Sequence, residues 1–214
     1  MDMRAYSMIR LYAVVADRLI RTFWLPVLTA GLYLFWRYPV YEYWQYDRLI
    51  WAAAGAVIAS AGLYAGGALA KAVHGTHDRA ARIRVRTGGA KLDFLLAGGF
   101  LTAAYFQPYL GDVRGCLILI GQVGLLAGLV SLWCMEGYGG EEVLSELLGC
   151  REPVRRAFEL LLDPERRSEK LRSGGGGTGE IVFAAVVLLL QLVPLLLGIW
   201  LMEVIACELY VILF

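Results

Sequence analysis

Few residues in the sequence combine the side chains and the spacing that metal binding requires. His74 and His77 are the only histidines, and their spacing would bring both imidazoles to one face of a helix. A zinc site takes three or four ligands, but the nearest carboxylate, Asp78, stands among arginines and Lys71 that oppose a cation. We therefore expect both histidines to lie in a solvated loop and the chain to hold no metal and no cofactor.

Thiol and phosphate chemistry are also poorly represented. Cys116 and Cys134 stand 18 residues apart, which is about 27 Å along a helix and beyond the reach of a disulfide; pairing of Cys116 with Cys207 stays open. The glycine run at residues 174–177 lacks the lysine and the preceding strand of a phosphate-binding loop, so it indicates a flexible linker. Because no catalytic motif is present, the sequence predicts a protein that is not an enzyme.

Polar residues inside long apolar runs are the remaining candidates for chemistry. Such residues are functional hypotheses in a membrane protein, and here they are Gln107, Gln122, Gln191 and Glu203. They would line a route if their helices brought them to one cavity, whereas separate hydrogen bonds between helices are the interpretation we favour. Asp93, close to Lys91, is expected at a membrane boundary, where it would be paired or solvated.

The elements that must position these residues are membrane helices. Hydrophobic residues make up 59% of the chain and charged residues 18%, against about 25% charged in an average soluble domain. Since a helix crosses a bilayer with about 20 apolar residues, we predict an all-α integral membrane protein with about five transmembrane helices in a bundle. The predicted spans are residues 19–37, 49–71, 92–110 and 115–135, with a fifth inside 180–214.

The segments outside the spans have distinct compositions. Residues 1–21 alternate basic and apolar side chains and are expected to form an amphipathic interfacial helix. Residues 22–135 form the predicted four-helix membrane region. Residues 136–179 form a loop with short helices at 141–148 and 153–162, a further helix to about residue 171, and the glycine-rich linker. Residues 180–214 combine the last span with an apolar tail, which we expect to be docked on a partner or in lipid.

Basic residues give the expected orientation. With five spans, 17 lysines and arginines fall on the side of the N-terminus and three on the other side. Positive residues stay on the cytoplasmic side, so the N-terminus is predicted inside (cytoplasm, matrix or stroma) and the C-terminus outside. A basic stretch with alternating arginines suits an extended segment or a loop on lipid headgroups or a partner; its arginines are Arg79, Arg82, Arg84 and Arg86. No stacking aromatics support nucleic-acid binding.

Small residues mark the expected helix contacts. Spacings of three or four residues let two backbones approach closely in a membrane, and such spacings join Gly55, Ala59, Gly62 and Gly66 in the second span and Gly124 and Gly128 in the fourth. Two functions fit these features. One is a non-catalytic subunit or scaffold that docks other membrane subunits, and the alternative is a small transporter or channel with a route lined by the intramembrane glutamines and Glu203.

Overall fold

The computed structural model describes residues 3–38, 43–44, 48–107, 109, 111–133, 139–149, 152–163, 168, 182–189, 192, 196 and 199. The prediction of an all-helical chain is confirmed for these residues, among which no strand occurs. They divide into one unit that runs to Ser131 and a second unit that starts at Leu132.

Four helices build the first unit: α1 (Met3–Arg37), α2 (Leu49–His74), α3 (Arg79–Phe106) and α4 (Asp112–Ser131). Contacts along the helices give their directions. Trp24 of α1 stacks on Phe94, and Gly31 lies against Gly98 further along α3, so α1 and α3 run parallel. By contrast, residues later in α2 or in α4 contact residues earlier in α3. Both helices therefore run antiparallel to α3, and consecutive helices of the bundle are antiparallel.

Three of these helices are long and apolar enough to cross a membrane, namely Met8–Arg37 within α1, Ile50–His74 within α2, and α4. The helix α3, which carries six charged residues, is not among them. It is nevertheless the central helix, since it packs on α1, α2 and α4. Its buried residues are mostly glycine and alanine, so neighbouring helices, rather than lipid, cover much of its surface.

The helix α1 is continuous through the predicted boundary between an interfacial segment and the first span. Its 35 residues correspond to about 52 Å, against about 30 Å for the hydrocarbon core of a bilayer. Pro26 lies inside it without ending it. Large apolar side chains are exposed along nearly its whole length, from Met8 to Trp36.

The prediction of a strand-like segment or a loop at residues 79–91 is wrong. The structure places these residues in the first turns of α3, where Asp78 is the N-cap and its side chain accepts a hydrogen bond from the Ala81 N–H at 2.5 Å. This cap satisfies one of the free N–H groups at the helix start. The helix therefore begins 13 residues before the predicted span at 92–110 and ends at Phe106.

The second unit contains α5 (Gly139–Leu148), α6 (Pro153–Leu162) and a helical stretch at residues 182–189. Pro153 stands at the start of α6. A backbone N–H at this position would have no acceptor within the helix, so proline costs no hydrogen bond there. One apolar cluster joins α6 to the stretch at 182–189, through Val154, Ala157, Leu160, Ala184 and Val187. The glycine-rich linker, Gln191, Glu203, Cys207 and most of the predicted fifth span lie outside the described residues.

The buried side of α2 is a row of small residues formed by Gly55, Ala59, Gly62, Gly66 and Ala70. A Cβ atom on Gly66 would overlap the Gly88 carbonyl oxygen and lie 2.9 Å from the Gly89 Cα. In the same way, a Cβ on Gly89 would overlap the carbonyl oxygen of Leu63. The backbones of α2 and α3 are thus in direct contact at this crossing.

We expect Gly66→Ala to destabilise the protein by about 1–3 kcal/mol, because the added methyl group forces two backbones apart. Gly67→Ala is the matched control: its nearest neighbour would be the Val85 carbonyl oxygen at 3.8 Å, so it should be neutral or stabilise by up to about 1 kcal/mol. Thermal unfolding in mild detergent measures both variants. Equal effects would show that the Gly66 contact is absent.

Candidate functional site

The most unusual side chain of the first unit is Asp93, on the face of α3 that meets α2. It follows the glycine contact by one helical turn and is 1% exposed. Gly62 faces it from the middle of α2, so closely that a Cβ atom on Gly62 would overlap the Asp93 Oδ1 atom. The absence of a side chain on Gly62 therefore makes the space that Asp93 fills.

Both carboxylate oxygens of Asp93 are buried and have no hydrogen-bond partner in the described part of the chain. The expectation that Asp93 is paired or solvated is therefore wrong, whereas its position at a membrane boundary stays a prediction. The nearby Lys91 ammonium lies 5.6 Å from the centroid of the Trp24 ring of α1. An unpaired ionised carboxylate is costly in an apolar interior, so this site favours whatever neutralises Asp93.

Gln122 of α4 is also fully buried, but its hydrogen bonds are satisfied. Its Nε2 atom donates to the Tyr38 carbonyl oxygen at 2.8 Å, and its Oε1 atom accepts from the Trp44 Nε1–H at 2.9 Å. Both partners belong to the connection between α1 and α2. The side chain thus fastens that connection to α4, and these bonds leave it little capacity to bind a solute.

Arg114, near the start of α4, strengthens the same connection. Its Nε–H donates to the Ala104 carbonyl oxygen at 3.2 Å, and its guanidinium carbon lies 5.5 Å from the centroid of the Tyr38 ring. Tyr43 meets Tyr38 edge to face with 5.8 Å between ring centroids. Tyr38 therefore packs against Arg114 of α4 on one side and against Tyr43 of the same connection on the other.

A second polar cluster joins α1 to the end of α2. Asp17 is 5% exposed, and its Oδ2 atom lies 2.8 Å from the Arg21 Nε atom and 3.0 Å from the His74 Nε2 atom. His74 is the last residue of α2, and its side chain is mostly buried. The prediction that His74 lies in a solvated loop is therefore wrong. His77 follows in the exposed turn, as predicted. No group of three potential metal ligands occurs among the described residues.

The other predicted site residues are distributed over the bundle. Gln107 is the exposed C-cap residue of α3 and does not share the buried surroundings of Gln122. Gly124 faces Ala97, Gly128 faces the Phe94 ring, and Gly55 faces the backbone of Ile120. The basic stretch lies on the first turns of α3, with exposed side chains at Arg79, Arg84 and Arg86 and a half-buried one at Arg82.

Sequence reasoning missed the roles of Asp17 and Asp93. For Asp17, the signal was its spacing of four residues from Arg21, which favours an ion pair on one helix face. For Asp93, the signal was a single acid four and five residues before Ala97 and Gly98, among the small residues of a helix. Neither signal predicts how deeply the aspartate side chain is buried, because burial depends on which residues of the neighbouring helices lie opposite it.

Comparison of the chain with models of known protein families, with curated proteins and with solved structures finds no match. The function is therefore inferred from the geometry described above.

We expect Gln122→Leu to leave the Tyr38 carbonyl and the Trp44 N–H without partners, at a cost of about 1–3 kcal/mol for each buried group. Combining it with Trp44→Phe should give a coupling energy of about 0.5–3 kcal/mol, measured by thermal unfolding. Gln107→Leu, at an exposed position, should change stability by no more than about 0.5 kcal/mol. A coupling near zero would indicate that water, rather than Trp44, meets Gln122.

Proposed function

We propose that this protein is a non-catalytic integral membrane subunit or scaffold of a larger membrane complex. The observation that carries the proposal is the outer surface of α1. Exposed apolar side chains extend from Met8 to Trp36, a helical length of about 42 Å, whereas a bilayer core covers about 30 Å. A neighbouring subunit would cover the excess apolar surface. Burying that surface stabilises the complex by about 25 cal/mol per Å² of apolar area removed from water.

The closed interior supports the same function. The bundle is held by glycine contacts, and Gln122 is committed to the connection between α1 and α2. Those side chains therefore serve the subunit's own assembly. The apolar faces of α1, and the tail that follows the last predicted span, are then the surfaces for other subunits and for lipid.

The proposed topology has five spans: the first four lie within α1–α4, and the fifth is formed by residues after 180. The N-terminus is inside and the C-terminus outside. The 17-to-3 distribution of basic residues supports this orientation, and the arginines at the start of α3 would then meet lipid headgroups. In a variant without native cysteines, an impermeant thiol reagent added outside should label Tyr109→Cys and spare His77→Cys. The reverse pattern would overturn this orientation.

Purification from mild detergent tests the subunit proposal. The full chain should elute with a partner protein at fixed stoichiometry. A variant that lacks residues 204–214 should insert normally but lose that partner, because its docking tail is gone. The proposal would be contradicted if the full chain purified alone as a homo-oligomer, with no partner protein and with the same elution as the shortened chain.

The second candidate function is a small transporter or channel. Asp93 favours it, since a buried ionisable residue inside a helix bundle often marks an ion or substrate route. Reconstitution of the purified chain into vesicles separates the two functions. A subunit alone should leave the vesicles impermeable, whereas a transporter should carry its solute and lose that activity on Asp93→Asn.

A further inference from the structure

Asp93 is the one described residue that is not exposed and has buried side-chain oxygen atoms without a hydrogen-bond partner. The described helices nearest to it offer apolar or small groups. On α2 this is Gly62, and on its own helix it is Leu96, whose Cδ1 atom lies at the same crossing beside the Asp93 carboxyl group. The carboxyl group is thus enclosed by the crossing of α2 and α3.

The charged groups described nearest to this crossing have other partners, and the arginines of α3 end at Arg86, seven positions before Asp93. On α3, the Lys91 ammonium lies over Trp24. On α1 and α2, Asp17, Arg21 and His74 are paired with one another. The remaining groups of α2 are Tyr64, which is 81% exposed, and Lys71, which is also exposed.

On α4, the residue facing Phe94, next to Asp93, is Gly128. The titratable residues of α4 are at least 12 positions earlier, about 18 Å along the helix, and are Asp112, Arg114 and Cys116. The described surroundings of Asp93 therefore contain no cation that could balance its charge.

We propose that Asp93 is a proton-binding site, whose carboxyl group holds a proton while α2 and α3 are in contact at Gly62 and releases it to water when that crossing opens. Release leaves a carboxylate and a hydronium ion, so the step needs only the water that enters the open crossing. Closure at Gly62 expels that water and returns the proton. Binding of the proton and closing of the helix pair are then one coupled equilibrium.

A proton fits this site better than a metal cation does. Calcium and magnesium ions need several oxygen ligands, and the two residues shown at this crossing beside Asp93, Gly62 and Leu96, have no oxygen in a side chain. A proton needs one carboxyl oxygen and no additional volume, which suits a crossing where the side chains of Asp93 and Leu96 already fill the space at Gly62. The proposal goes beyond the proposed subunit function and is independent of it.

Infrared spectroscopy of the full chain in lipid bilayers tests the proposal directly. With isotope-labelled aspartate, the wild-type protein should show the C=O stretch of a protonated carboxyl group near neutral pH. Asp93→Asn should lack this band, whereas the matched control Asp112→Asn should retain it, because Asp112 is fully exposed. A wild-type spectrum with carboxylate bands alone would overturn the proposal without any variant.

A stability measurement checks the coupling to the helix crossing. Between about pH 5 and pH 8, the wild-type unfolding temperature should fall by at least about 2–4 °C relative to Asp93→Asn, because only the wild type must bury a charge. The comparison is repeated in sodium chloride and in choline chloride. Proton binding would be overturned if the unfolding temperatures of the wild type and of Asp93→Asn changed in parallel with pH, or if sodium alone restored the wild-type unfolding temperature at the higher pH. Copurification of Asp93→Asn with partner proteins reports separately on the subunit function.

Discussion

The direct contact between the backbones of α2 and α3 is the constraint on which the first unit depends. Gly66 lies against Gly88 and Gly89 without any side chain between the two helices. Glycine inside a helix costs about 0.5–1 kcal/mol relative to alanine, so adjacent glycines in α3 need the packing that this crossing provides. Since lipid supplies no hydrophobic drive between helices, close approach and dispersion contacts replace it.

The position of α3 explains the other contacts. Small residues also lie where the other two helices contact α3: α1 approaches it at Gly98 and α4 approaches it at Ala97, through Gly31 and Gly124 respectively. A helix with six charged residues can thus lie in the centre of a bundle of apolar helices. Its charges gather in its first half, ending at Asp93, and the apolar second half continues to Phe106.

The same close approach sets the surroundings of Asp93. A larger residue than glycine at position 62 would displace the carboxyl group, whereas glycine admits it and excludes water. Gln122, although equally buried, donates to and accepts from residues of the α1–α2 connection. Two buried polar residues therefore have different consequences: Gln122 stabilises a connection, and Asp93 retains an unsatisfied carboxyl group.

Part of this arrangement follows from the sequence. The apolar runs predict helices at α1, α2 and α4, and Pro153 marks the start of α6. The start of α3 could not be predicted from the alternation of Arg82, Arg84 and Arg86, because the Asp78 cap outweighs that pattern. The burial of His74 and Asp93 could not be predicted either, since it depends on which residues of α1 and α2 stand opposite them.

Disulfide cross-linking tests the central position of α3 most directly. A Cβ atom on residue 88 would lie 2.9 Å from the Ala70 Cβ atom and 2.7 Å from the Gly66 carbonyl oxygen, so the helices must part by about 1 Å to reach the Cβ separation of a disulfide, about 3.5–4.5 Å. After that small shift, mild oxidation should join Ala70→Cys and Gly88→Cys within one chain in a variant without native cysteines. The control pair, Ala70→Cys with Gly99→Cys, should stay reduced, because Gly99 is about 16 Å further along α3. Cross-linking of the control pair alone, or of neither pair, would contradict a bundle built around the α2–α3 contact.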